Sequence, residues 1–221
     1  GDAVEFLDPV PNYTAPTITA GGAGLTDHSP LSVWSDLTDM SAARAEHGVV
    51  QLQSSDVLVC GGTSDLATYL DTAQRFRITS DTVLAGGRRQ LGYSWVATAN
   101  MPDTLGRFTL NQVPYVGVPV LVGGWDGAIP VDTAYLYDEV VNTWTALPGV
   151  LTVARVNHAA VVVESQVIVM GGNNGVVILT GCESWDFATG GPWTSYPALT
   201  VSREKLAATV YQDGAAPTIL A

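Results

Sequence analysis

The run Ala154-Arg155-Val156-Asn157-His158-Ala159-Ala160-Val161-Val162-Val163-Glu164-Ser165-Gln166-Val167-Ile168-Val169-Met170-Gly171-Gly172 decides how this chain is read. Two β-rich apolar segments, 159–163 and 167–170, flank the polar trio Glu164, Ser165 and Gln166, and a glycine pair ends the second. That pattern predicts a hairpin of buried strands. The same order of arginine, apolar run, short polar break, apolar run and Gly-Gly recurs at 44–62 and, with more drift, at 107–124. The chain is therefore built from repeats.

Working outward, other residue types keep the same period. Trp34, Trp95, Trp144 and Trp193 are spaced by 61, 49 and 49 residues, and Arg44, Arg107, Arg155 and Arg203 by 63, 48 and 48. The glycine pairs at 61, 123 and 171 step by 62 and 48. The unit is thus about 48 residues long, with one longer copy. Within it the order is arginine, strand, turn, strand, Gly-Gly, loop, third strand, turn and a Trp-bearing fourth strand. Four short strands per unit make one blade of a β-propeller.

Gly123-Gly124 followed by Tyr137 and Trp144, seven apart, with Leu147-Pro148 after them, resembles the kelch repeat. The copy at Gly171-Gly172 has Trp185 in place of the tyrosine and Trp193 eight residues on, and the copy at Gly61-Gly62 reaches Trp95 only after an insertion over 78–92. The resemblance covers nearly the whole chain. It implies an all-β propeller of four-stranded antiparallel blades, of the superfamily that includes the galactose oxidase central domain. The expected division is a half blade at 1–40, blades at 44–101, 107–148 and 155–199, and a half blade at 203–221. That is about four blade equivalents where the family usually closes with six or seven, so the expectation is a piece of a larger ring, the alternatives being a small four-bladed ring and a ring completed by another subunit.

Composition narrows the function classes. The 221 residues are 47% hydrophobic and 14% charged, well away from the composition of disordered chains. A net charge of −12, with Lys205 the only lysine, disfavours a nucleic-acid backbone as partner. No apolar run approaches the eighteen or so residues of a membrane helix. The two cysteines, Cys60 and Cys182, are too few for a disulfide framework and read as small buried hydrophobes. One sequon, Asn12-Tyr13-Thr14, would permit glycosylation of a secreted chain.

The repeated tryptophans read as packing between blades, and the glycine pairs as strand ends crowded on both sides. Arg44, Arg107, Arg155 and Arg203 stand at the head of each innermost strand. There they can ring one mouth of the channel and bind carboxylates or phosphates, or tie down loop carbonyls. His47 and His158 follow two of them by three residues and sit on separate blades, too far apart to share a metal. Loops between the second and third strands are where propellers of this kind bind. Trp125-Asp126 and Asn173-Asn174 open two of these loops; an aromatic ring with amide and carboxylate groups suits a sugar or a protein surface, although Asp-Gly and Asn-Gly are also ordinary turn formers.

Copper radical oxidases share the kelch-type propeller and converge Tyr, Cys and His on one metal. Here Cys60 and Cys182 lie inside motif strands and His28 in an irregular loop, so that pattern is unmatched, and no cofactor or metal is expected. The reading is a non-catalytic module for binding a protein or glycan or for structural assembly, with low charge and abundant Ser, Thr and Gly favouring an extracellular, cell-surface or virion setting. The alternatives are a secreted carbohydrate-active or oxidase propeller and an intracellular substrate-adaptor domain.

Overall fold

The computed structural model of the chain describes residues 5–6, 35–36, 39–83, 89–114, 116–211 and 217–221. Asn12, Gly21-Gly22, His28 and Trp34 lie outside them. Every regular element described is a strand. In order they are β1 (Glu5–Phe6), β2 (Ser35–Asp36), β3 (Gly48–Gln51), β4 (Val57–Cys60), β5 (Ala73–Val83), β6 (Arg89–Ala97), β7 (Thr109–Val113), β8 (Val118–Val122), β9 (Ala134–Asp138), β10 (Thr143–Ala146), β11 (Ala159–Val163), β12 (Gln166–Met170), β13 (Cys182–Asp186), β14 (Thr194–Tyr196), β15 (Thr209–Tyr211) and β16 (Thr218–Leu220). Among the described residues no helix is long and apolar enough to cross a membrane.

The strands form three four-stranded antiparallel sheets, β3-β4-β5-β6, β7-β8-β9-β10 and β11-β12-β13-β14, and two pairs, β1-β2 and β15-β16. These are propeller blades. The chain divides into two compact units, one of residues 1–43 with 77–95 and one of residues 44–76 with 96–221. In the first, Glu5 pairs with Asp36 and Phe6 with Ser35, and residues 77–83 and 89–95 extend β5 and β6. The expected insertion over 78–92 is therefore largely a lengthening of two strands of one blade. In the second unit β3 lies beside β7, β7 beside β11 and β11 beside β15, as the innermost strands of adjacent blades do about a propeller axis.

Period-two geometry explains why the second strands of the three four-stranded blades, β4, β8 and β12, are almost wholly apolar. On β8, Val120 and Val122 face a cluster containing Val167, Val169, Trp185 and Trp193, whereas Leu121 between them faces another with Leu58, Cys60, Leu105 and Tyr137. On β12, Ile168 and Met170 turn instead to a third cluster with Val161 and Cys182. β4, β8 and β12 are thus buried on both faces, and the core consists of the seams between blades. Each fully buried aliphatic residue there contributes about 1.5–3 kcal/mol.

Two details differ from expectation. Gln166 pairs with Val163, so it belongs to β12 and the turn is the two residues Glu164 and Ser165. The tryptophans are not equally buried: Trp193 is 5% exposed, while Trp144 is only half-buried. Trp144 packs on Tyr137, ring centroids 5.0 Å apart, and its indole N–H donates to the Ala99 carbonyl at 3.1 Å. Being on the outermost strand of its blade, it covers the seam rather than filling it. Cys60 and Cys182 are both buried free thiols on different blades.

Candidate functional site

The glycine pairs and the arginines form one device at each seam. The first glycine of every pair packs on the carbonyl that precedes the next blade: a Cβ at Gly61, Gly123 or Gly171 would lie 2.6, 2.7 or 2.5 Å from the carbonyl oxygen of Leu105, Arg155 or Arg203. The second glycine donates its N–H to that same carbonyl, Gly62 to Leu105 at 2.7 Å, Gly124 to Arg155 at 2.9 Å and Gly172 to Arg203 at 2.8 Å. Arg44 donates from Nη1 to the carbonyls of Gly61 and Thr72, both at 2.8 Å. Arg155 repeats this with Gly171 and Gly181, both at 2.9 Å, and adds a 2.6 Å ion pair from Nη2 to Glu183. Its side chain is 1% exposed, and Glu183 also accepts from the Thr152 N–H at 2.6 Å. Arg203 donates to the carbonyl of Ala221, which follows β16 as Gly171 follows β12, at 3.1 Å.

Arg107 does not share this position. The bridges Ala45–Thr63, Gly106–Trp125 and Val156–Asn173 set the register between blades, and they place Leu105, not Arg107, opposite Arg44 and Arg155. Leu105 removes the guanidinium, and the partner changes with it: Glu183 is replaced at the matching site of β9 by Tyr135, whose hydroxyl donates to Asp103 at 2.5 Å. Burial and that bond push the Tyr135 phenol up to about 12.

Arg107 instead matches Glu46, Asn157 and Lys205, four residues held at φ of +57°, +58°, +56° and +53° respectively. Their backbones form a relay from blade to blade: Arg107 N–H donates to Glu46 at 3.0 Å, Asn157 to Arg107 at 3.3 Å and Lys205 to Asn157 at 2.7 Å. Arg107 Nε donates to Glu46 Oε2 at 2.6 Å, which holds the guanidinium's pKa above its ordinary value, and Tyr69 donates to the same oxygen at 3.2 Å. Asn157 reaches Glu204 at 3.3 Å. The mouth is therefore lined by paired charges, with the exposed Lys205 ammonium making no ion pair among the described residues.

The loops between second and third strands lie at this same end. Asp126 accepts the N–H groups of Ala128 and Ile129, both at 2.7 Å; Asn174 does the same for Val176 and Val177, and Asp65 for Ala67 and Thr68. Asn173 accepts from Gly175 at 2.7 Å. These side chains cap their own turns. Trp125 is half-buried, its backbone bridged to Gly106 and Pro130. Neighbouring loops abut: a Cβ at Gly127 would lie 3.4 Å from the Tyr69 ring, and one at Gly175 3.3 Å from Pro130.

Each capped loop then turns an aliphatic side chain outward. Leu66 is 68% exposed, Ile129 61% and Val176 86%, with Val177 exposed beside it. Sequence reading passed over these residues. The signal for them was an aliphatic residue recurring one to three positions after the capping Asp or Asn of each loop.

His47 and His158 occupy equivalent places on the approaches to β3 and β11, with Phe108 in that place on the blade between. His158 is buried, with Nε2 3.0 Å from Thr109 Oγ1 of the adjacent blade. Burial, and secondarily the Arg155 charge, lower its pKa to about 3. The unfolded chain takes up this proton near pH 6.5, so the stabilisation is complete above that pH and is lost as pH falls from about 6.5 towards 3. The expected slope is about 1.4 kcal/mol per pH unit from this residue. Denaturant midpoints at pH 5 and 7 should converge in His158→Phe, which copies Phe108; an unchanged pH dependence would assign the effect elsewhere.

Comparison with known proteins agrees with this architecture. A model of the kelch motif matches residues 120–150, from the buried part of β8 to the loop after β10. A kelch repeat and BTB domain-containing protein of Caenorhabditis elegans is 28% identical over 143 residues, covering 65% of this chain and 23% of that protein. Human kelch-like protein 33 is 28% identical over 144 residues, covering 64% and 24%. The chain thus spans about a quarter of the length of these relatives. The solved structure of YjhT superposes with a TM-score of 0.58 at 14% identity, over 80% of this chain and 58% of that one. Repeat sequence, blade topology and matched motif coincide, and the chain is a kelch-repeat β-propeller.

Proposed function

We propose that the chain is a protein-binding module that engages its partner through the loops joining second to third strands. The observation that carries this is the row of exposed aliphatic side chains Leu66, Ile129 and Val176 on three adjoining capped loops. The caps and the loop-to-loop packing hold these side chains in place before binding, which lowers the ordering cost of association. Aliphatic tips favour a protein surface over a glycan, which would call for an open aromatic face, and Trp125 is half-buried. The Glu46–Arg107 pair and Lys205 supply a charged centre inside the apolar rim. Arg44 and Arg155 spend their donors on backbone carbonyls and serve the scaffold.

The test is selection of displayed peptides on the immobilised chain, followed by affinity measurement. Leu66→Ser, Ile129→Ser and Val176→Ser combined should weaken selected peptides at least tenfold, given about 1.5–3 kcal/mol for burying each such side chain. Because these positions are exposed, the melting temperature should move by no more than about 2 °C. Peptides that bind the triple variant as tightly as the parent would move the binding surface away from these loops.

A further inference from the structure

The opposite end of the second unit, where first-to-second and third-to-fourth strand turns lie, carries a separate feature. A cavity of about 470 Å³ is lined by Val116, Glu164, Ser165, Phe187 and Ala188. Its size falls in the range of small-ligand sites. The walls are fixed: Phe187 N–H donates to the Ser165 carbonyl at 2.8 Å, and its ring meets Trp185 edge to face with centroids 4.6 Å apart. Among the described residues the apolar part comes from Val116, Phe187 and Ala188.

Glu164 is the unusual member. It sits at φ +52° in the two-residue turn between Val163 and Gln166, where glycine or asparagine is the unstrained choice. Its carboxylate makes no hydrogen bond or ion pair among the described residues, so no contact among them accounts for a glutamate there. Asp186 stands next to the cavity, its carboxyl held below the usual range chiefly by the Ser165 hydroxyl. The rest of this end offers no free cation: of the second unit's described basic side chains, Arg75 alone lies on this side, and it faces Asp56 at 3.9 Å. Glu139 is engaged by Ser54 at 2.6 Å.

We propose that this cavity is a second binding site, which receives an arginine side chain from a partner protein. The guanidinium pairs with the Glu164 carboxylate, and the stem and planar head lie against Phe187, Val116 and Ala188. Guanidinium matches this composition better than ammonium because its fork pairs with a carboxylate and its plane stacks on an aromatic ring. The site is on the far side from the capped loops, so it stands or falls separately from the loop-face reading.

The experiment titrates the full chain with acetyl-Gly-Arg-Gly-amide and follows backbone amide shifts by NMR. Saturable shifts confined to Val116, Glu164, Ser165, Phe187 and Ala188 are expected. The lysine peptide should bind several-fold more weakly, and the norleucine peptide should give no saturable shift. Glu164→Gln should weaken the arginine peptide about tenfold, and Glu164→Gly, which suits the turn, should do the same while keeping or raising Tm. Non-saturable shifts, equal binding of the norleucine peptide, or undiminished binding to both Glu164 variants would overturn the proposal.

Discussion

Arg155→Leu is expected to destabilise the chain by about 3–5 kcal/mol, read from the midpoint of chemical denaturation. The guanidinium is 1% exposed, donates to the Gly171 and Gly181 carbonyls and faces Glu183 at 2.6 Å. Its removal leaves a buried carboxylate without a counter-charge and takes a donor from both carbonyls, of which Gly181 keeps only the Gly171 N–H at 3.2 Å. Glu183→Gln should therefore be less harmful in the Arg155→Leu background than alone, a coupling of about 1–2 kcal/mol. Gln74 on β5 already occupies the matching position of the first complete blade. A cost for Arg155→Leu below about 1 kcal/mol would mean that the guanidinium is free for an external anion.

Gly172→Ala should cost about 2–5 kcal/mol, the sum of two effects. At φ +90° any side chain is strained by about 1–2 kcal/mol, and the new methyl would lie 2.7 Å from the Val156 carbonyl and 2.8 Å from His158 Cβ. Relieving that overlap requires the backbone leading into the blade to shift, adding about 1–3 kcal/mol. Gly190 provides the control, because it has φ +62° but no atom within 4 Å of an added Cβ. Gly190→Ala should cost only the conformational part, about 1–2 kcal/mol. Equal losses from the two would show that crowding at the seam contributes nothing.

The blade architecture was legible in the sequence because burial on both faces leaves an unmistakable trace. Val118–Val122 and Gln166–Met170 are almost wholly apolar, and a Gly pair ends each where the next blade's backbone arrives. Periodicity was less dependable for single side chains. Arg107 kept the 48-residue spacing to Arg155, yet the turn between β7 and β8 is two residues longer than that between β11 and β12, and this offset places Leu105 at the buried position and Arg107 at the mouth. Counting residues cannot register that offset; the strand bridges can. The outward loops were harder still, because an aliphatic residue such as Ile129 reads as core by composition, and only the Asp126 cap, which turns the loop back, places it in solvent.

The bond from the second glycine of each pair to the carbonyl that opens the following blade has an experimental consequence. The amide protons of Gly62, Gly124 and Gly172 belong to one blade but are shielded by its successor. Their deuterium uptake therefore times the parting of two neighbours rather than the melting of either, giving three separate clocks in one molecule.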